Sequence, residues 1–259
     1  MKSHLCTLMI LAAAMLLTGC TPSKKAAAQA GSTVSPLGYE VERFVTDSGK
    51  PVDITLIKHG TLAVSYDDIW IQIDPVTKLG KTTDYANDFP KADFILVTHE
   101  HGDHLDAAAI EALTGDNTRL ILNQRSHDQL GRGEVMQNGE QLQLTQAILL
   151  EAVPAYNSTP GRENFHPQGN GNGYVLTSDG LRIYIAGDTE DIPELAALKD
   201  IDVALLPVNQ PYTMTVEQCV RAAKTIQPKV LIPYHFGQTD LSELPALLPD
   251  IDVRLRQMQ

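Results

Sequence analysis

From Val52 onward the chain alternates short apolar runs with polar corners, and that spacing predicts strands. Val52 to Lys58, Thr61 to Tyr66 and Ile69 to Ile73 are three such runs, with His59-Gly60 and Asp67-Asp68 as turns and Asp74-Pro75 closing the third. Ala92 to Val97 is another buried run. Asp106 to Leu113 reads as a short helix with alanines and Ile110 inward, Arg119 to Leu122 as a strand, and Asn123 to Leu130 as a helix carrying a surface His127. Leu142, Leu144, Ile148, Leu150 and Val153 mark two further strands. Tyr174 to Thr177, Leu181 to Ala186, Ile201 to Pro207 and Val230 to His235 complete the series.

A helix is expected over Asp191 to Leu198. Another follows Thr215, where Gln218 three residues on completes a capping box and Val216, Cys219, Val220, Ala223 and Ile226 form an apolar face. Leu241 to Leu248 and Ile251 to Leu255 read as a closing helix and a terminal strand. Gly169 to Gly173 reads as a flexible turn, since it lacks the following helix and the lysine-serine pair of a nucleotide loop. No internal repeat is visible, but a strand-rich half followed by a second strand and helix series predicts two stacked sheets with helices outside.

Ahead of this pattern the character changes. Lys2 precedes an apolar run from Leu5 to Leu17, thirteen residues long, too short to span a membrane and of the right length for a secretory signal peptide over residues 1–20. Leu17-Thr18-Gly19-Cys20 resembles the bacterial lipobox, which implies lipidation of Cys20, export to the bacterial cell envelope and anchoring there, with the membrane as a partner. Residues 21–36 are rich in Ser, Ala, Lys, Gly and Pro and read as a flexible tether. Residues 37–259 then form one large domain.

Charge and cysteine content narrow the function classes. All 32 acidic residues lie after Gly31, with 17 of the 20 basic ones, so the domain is 15 charges negative and nucleic acid is excluded as a partner. Cys219 is the only cysteine past Cys20, so stability must come from a core and bound metal rather than from internal disulfides.

The chemistry gathers in Thr98-His99-Glu100-His101-Gly102-Asp103-His104, directly after the Ala92 to Val97 run. On an extended strand His99 and His101 share a face, and a turn at Gly102 brings Asp103 and His104 to a second position. The spacing suits two ions, one on His99 and His101 and one on Asp103 and His104, with ligand types for which zinc is the default and manganese or iron the alternatives if the first site is richer in oxygen. Desolvating so many titratable groups beside a buried strand is costly without a cation to compensate. Asp188, in Gly187-Asp188-Thr189 at the end of a strand, can bridge two cations or, as a turn residue, cap the helix expected over Asp191 to Leu198. His59, at the first corner, reads as a hydrogen-bonded structural histidine.

The pattern H-x-H-x-D-H after a hydrophobic strand resembles the metallo-β-lactamase fold superfamily. That resemblance implies an α/β fold built as a four-layer αββα sandwich, with Asp188 as the bridging carboxylate and His235 as the last ligand of the second metal. In that superfamily a histidine commonly ends the strand near Val153 and completes the first site. This chain has Tyr156 and Asn157 there, so the remaining ligand is His166 from the following loop, Asn157 through its carbonyl oxygen, or water. The Val153 to Asn157, Gly187-Asp188-Thr189, Tyr212-Thr213-Met214 and Pro233-Tyr234-His235 steps look most like the L-ascorbate-6-phosphate lactonase-like branch.

The implied activity is hydrolysis of a small-molecule lactone, ester or phosphodiester by hydroxide held between two divalent cations roughly 3.5 to 4 Å apart, with Asp103 as the catalytic residue orienting it. Tyr156, Arg162, His166 and Tyr212 are the candidate substrate contacts, Arg162 through a phosphate or carboxylate. The alternative is a metal- or ligand-binding envelope lipoprotein whose catalytic site has decayed at Tyr156-Asn157. A redox di-iron protein would instead need acidic ligands in the first site and a flavin partner domain.

Overall fold

The computed structural model describes residues 31–258, so the expected signal peptide, the lipobox and most of the tether lie outside the described residues. The strands are β1 (Ser32–Val34), β2 (Glu40–Val45), β3 (Pro51–Lys58), β4 (Thr61–Tyr66), β5 (Ile69–Ile73), β6 (Phe94–Val97), β7 (Arg119–Leu122) and β8 (Glu134–Val135), then β9 (Gln141–Gln143), β10 (Ile148–Ala155), β11 (Gly171–Ser178), β12 (Leu181–Ile185), β13 (Val203–Pro207), β14 (Val230–Tyr234) and β15 (Asp252–Val253). The helices are α1 (Tyr85–Asp88), α2 (Ala107–Leu113), α3 (Gln124–Leu130), α4 (Val216–Ile226) and α5 (Leu244–Leu247). The first eight strands form one sheet in chain order and the last seven form a second.

Both sheets follow one plan. Strands β1 to β5 are antiparallel and β5 to β8 parallel; likewise β9 to β12 are antiparallel and β12 to β15 parallel. The inner faces close on a single core that includes Ile54, Leu62, Ile73 and Leu96 from one sheet and Leu150, Leu176, Ile183 and Ile232 from the other. Two outer cores complete the four layers. Ile95, Val97, Ile110 and Leu113 join α2 to the first sheet, and Tyr184, Leu206, Cys219 and Ala223 join α4 to the second. Cys219 is thus core, and burial pushes its thiol up to about 12.

Several boundaries differ from the sequence expectation for local reasons. Ser32–Val34, expected to be tether, pairs with β2 although all three residues are exposed, because a ladder needs only backbone groups. The glycine-rich stretch is no turn at Gly171: β11 begins there, and a Cβ at Gly171 would lie 2.7 Å from the Ala155 carbonyl, so glycine permits the close pairing. The helix expected over Asp191 to Leu198 is a 3-10 turn at Pro193–Ala197, and the closing helix is the four residues of α5. The terminal strand is likewise short, at Asp252–Val253. His127 is half-buried rather than free at the surface, with Nδ1 3.0 Å from the Gly133 carbonyl oxygen.

At the N-terminus of α2, Asp106 accepts from the backbone N–H groups of Ala108 and Ala109 at 2.9 and 3.3 Å and from Thr77 N at 2.8 Å. Burial opposes its charge, but these donors outweigh it and hold the carboxyl below its usual range. Asp106→Ala is expected to cost about 1–2 kcal/mol in a denaturant titration, as the loss of a cap does. The contribution is present above about pH 4 and disappears as pH falls through the lowered folded-state value, so the wild-type and Asp106→Ala curves should converge in acid.

Candidate metal centre

Strands β3, β5 and β6 run in one direction within the first sheet, and β10, β12 and β14 do so within the second. Their carboxyl ends deliver His59, Asp74, the His99 to His104 segment, Asp188 and His235 to one edge of the sandwich. Struts between the sheets set the height of these loops. Tyr174 donates to the Val97 carbonyl at 2.9 Å, Asn172 N to the Thr98 carbonyl at 3.0 Å, and Tyr234 to the Gly187 carbonyl at 3.3 Å. His59, Asp74 and His235 leave their strands with φ of 46°, 45° and 46°, a left-handed conformation uncommon for residues with a Cβ. Gly60 next to His59 is required by packing: a Cβ there would lie 2.7 Å from His104 Cε1.

The donor atoms fall into two groups with Asp188 between them. His99, His101 and His166 form one, with ligand atoms within 4.8 Å of one another, and His59, Asp103, His104 and His235 form the other. Asp188 is buried, its Oδ1 3.4 Å from His104 Nε2 and its Oδ2 3.2 Å from His166 Nε2, 3.3 Å from His235 Nε2 and 3.9 Å from His99 Nε2. Six of the eight histidines in the chain therefore meet at one place.

Hydrogen bonds on the outer nitrogens orient the inner ones. Asp74, fully buried, accepts from Thr98 N at 2.7 Å and Thr98 Oγ1 at 2.6 Å, and its Oδ2 lies 2.7 Å from His104 Nδ1. Thr98 Oγ1 in turn lies 3.0 Å from His99 Nδ1. His166 Nδ1 donates to the Tyr212 carbonyl at 3.1 Å. These contacts place a proton on the outward nitrogen and leave Nε2 of His99, His104 and His166 with its lone pair inward.

The inward atoms fit a cation. His104 Nε2, His166 Nε2, His235 Nε2 and Asp188 Oδ1 are buried without a hydrogen-bond partner, although they lie close together. Such groups are costly to bury unpaired and suit divalent metal by type. Burial, reinforced by the neighbouring imidazoles, holds His99 and His101 below the ordinary imidazole range, in the neutral form that ligates. Burial likewise opposes charge on Asp188, but His235 and His104 outweigh it and keep the carboxyl well below its usual range.

The remaining predicted residues are placed less uniformly. His166 does reach in, and the position left open by Asn157 is thereby occupied by an imidazole. Asn157 points its Nδ2 to the carbonyls of Tyr212 and Arg162, at 2.7 and 3.2 Å, and its N–H donates to the His166 carbonyl at 2.8 Å; it braces the loop that carries His166, while its Oδ1 is buried without a hydrogen-bond partner. Tyr156 is no substrate contact. Its ring packs in the outer core of the second sheet, and its hydroxyl donates to Glu194 at 2.9 Å. Arg162 is already engaged, 3.3 Å from the buried Glu190 and donating to Gln210 at 2.7 Å, so it is not free for a phosphate. The Tyr212 ring is exposed and stands edge-on to Phe165, while its carbonyl serves His166.

His59 is hydrogen-bonded, as expected, but its partner is Asp103 Oδ2 at 3.1 Å, and its ring lies 3.6 Å from that of His235, centroid to centroid. Asp74 was legible only as the end of a strand. An aspartate between an apolar run and a proline looks like a turn residue, and nothing local distinguishes it from one.

An eight-plus-seven-stranded αββα sandwich with a histidine and aspartate cluster at the carboxyl ends of its strands is the architecture of metal-dependent hydrolases of the metallo-β-lactamase superfamily. The family model for the beta-lactamase superfamily domain matches residues 53–235. Within the superfamily, the chain belongs to the UPF0173 metal-dependent hydrolase family. It is 33% identical to the member from Archaeoglobus fulgidus over 182 residues, 67% of this chain and 78% of that protein, and 32% identical to the member from Methanopyrus kandleri over 195 residues, 71% and 84%. A crystal structure from Parabacteroides distasonis, described as a candidate metal-dependent hydrolase, superimposes with a TM-score of 0.82 at 54% identity, covering 85% of this chain and all of that one. The metallo hydrolase Igni18 from Ignicoccus hospitalis superimposes at 0.67 with 27% identity, covering 80% and 95%.

Proposed function

We propose that this metal-dependent hydrolase is dinuclear, with His99, His101 and His166 holding one divalent cation, Asp103, His104 and His235 the other, and Asp188 shared by both. The observation that carries this is the pair of Asp188 oxygens, buried and aimed at histidines of both groups. Zinc suits the nitrogen-rich ligand set, while manganese and iron suit its carboxylates. A pair of divalent cations there supplies a nucleophile ionised near neutral pH and positive charge opposite a developing oxyanion.

The chain's own groups do the rest. Asp103 is half-buried, unlike the fully enclosed His99, His104, His235 and Asp188, and its Oδ2 is set by His59 at 3.1 Å and His235 at 3.5 Å, so it can orient the attacking water and hold its proton. His166, held by Tyr212 and Asn157, closes the first position that a decayed site would leave open, which favours an enzyme over a binding protein. Scissile carbonyls of lactones and esters, and phosphodiesters, are the substrates this charge distribution suits. The Val153 to Asn157 and Gly187 to Thr189 steps support a place near the L-ascorbate-6-phosphate lactonase-like branch.

Elemental analysis of protein purified without added metal, followed by a panel of lactones, aryl esters and bis-nitrophenyl phosphate, tests the assignment. Two metals per chain and turnover on the panel are expected. Asp103→Ala should lose one metal and about a hundredfold in kcat. Full activity with intact metal content in that variant would refute the role of Asp103.

The same reading places the protein on the bacterial envelope through lipidated Cys20. Cys20→Ala is expected to move the protein from the membrane to the soluble fraction; unchanged membrane association would remove the anchor from the proposal.

A further inference from the structure

Beside the metal cluster a narrow pocket lies between the His99 to His104 segment and the loop that carries His166. His101, His166 and Asp188 form its inner end; Glu100, Phe165 and Asn170 stand in its walls. Two of the wall groups, Glu100 Oε2 and Asn170 Nδ2, are buried and have no hydrogen-bond partner. Neither residue is loose. The other Glu100 oxygen accepts from Arg125 at 3.2 Å, and the Asn170 carbonyl accepts from Asn123 Nδ2 at 2.7 Å. Asn123 also caps α3, the helix that carries Arg125, so the first turn of one helix holds both walls in place.

A buried carboxylate oxygen and a buried amide N–H are each costly to leave unpaired, and neither belongs to the proposed ligand set. We propose that Glu100 and Asn170 form a specificity pair that recognises a hydroxyl group on the substrate next to the group that is cleaved. A hydroxyl can both donate to Glu100 Oε2 and accept from Asn170 Nδ2, whereas a carbonyl or a carboxylate only accepts. An anionic substituent would also meet the like charge of Glu100 and is rejected. The Phe165 ring offers apolar surface to the carbon skeleton that bears the hydroxyl. This rests on the hydrolytic reading of the adjoining cluster and narrows its substrates to those with a hydroxyl, and no anionic group, at that position.

Metal-directed hydroxamates test the pair without requiring turnover. Binding of glycolohydroxamate, 3-hydroxypropanohydroxamate and 4-hydroxybutanohydroxamate to zinc-loaded protein is measured by calorimetry against the three deoxy counterparts and against succinohydroxamate, with zinc content measured alongside. At least one hydroxylated probe should bind about tenfold tighter than its deoxy partner, the scale of one hydrogen bond to a charged group. Glu100→Ala and Asn170→Ala should each abolish that preference at unchanged zinc content; if Glu100→Ala sheds zinc, Asn170→Ala decides alone. Equal binding within every pair, a preference that survives Asn170→Ala, or tighter binding of succinohydroxamate overturns the proposal. Absence of turnover on the ester and lactone panel would instead sink the hydrolytic reading while leaving these binding differences in place.

Discussion

Alanine at position 188 is expected to empty both metal positions and to lower kcat/KM more than about a thousandfold, equivalent to about 4 kcal/mol of transition-state stabilisation. The two oxygens of Asp188 face histidines of both groups. Its oxygens lie 3.2 to 3.4 Å from the Nε2 atoms of His166, His235 and His104, and under the dinuclear proposal its carboxylate would be the negative charge that offsets both cations in a buried site. Removing it leaves those imidazoles facing one another without a counter-charge. Elemental analysis and the hydrolysis panel read both effects in one preparation. Unchanged metal content in Asp188→Ala would end the shared-carboxylate assignment.

The second large effect is expected at Asp74, which touches no metal in this assignment. Asp74→Ala leaves Thr98 N, Thr98 Oγ1 and His104 Nδ1 without their acceptor in a fully buried site. Breaking a buried charged pair on one side costs about 3–5 kcal/mol, so the denaturation midpoint should fall sharply. In the protein that still folds, His104 loses the contact that fixes its proton on Nδ1, and metal affinity should fall about 10–100-fold. Asp74→Asn separates the two effects. It keeps the volume and one acceptor, so stability should largely recover while His104 remains poorly oriented. Metal affinity at the wild-type level in Asp74→Asn would show that Asp74 acts on folding alone.

Much of the fold was legible because strand signals are local. The runs at Val52 to Lys58, Ile69 to Ile73 and Val230 to His235 alternate or stay apolar over a few residues and end at polar corners, and β3, β5 and β14 lie there within a residue or so. Failures came where local chemistry misleads. Gly169 to Gly173 has turn composition, yet Gly171 and Gly173 serve close pairing in β11. Ser32–Val34 has nothing to bury and is held only by backbone bonds to β2.

For the site, the division follows sequence distance. His99, His101, Asp103 and His104 lie within six residues, and Asp188 and His235 each end an obvious strand, so residue type and strand end sufficed to pick them. The same local reading failed for Tyr156 and Arg162. Tyr156 follows a strand but turns outward to Glu194, and Arg162 meets a buried Glu190 that only folding brings near.

Taken alone, the sequence determined where most strands lie along the chain, the apolar core positions and the metal-ligand types, because periodicity, turn chemistry and donor chemistry act over a few residues. The tertiary structure decided that His166 stands with His99 and His101, that Asp74 meets His104 across 30 residues and that His59 pairs with Asp103 across 44. Those contacts depend on which strand ends meet at the sandwich edge. That is set by sheet order and by packing between the two sheets, to which every strand contributes.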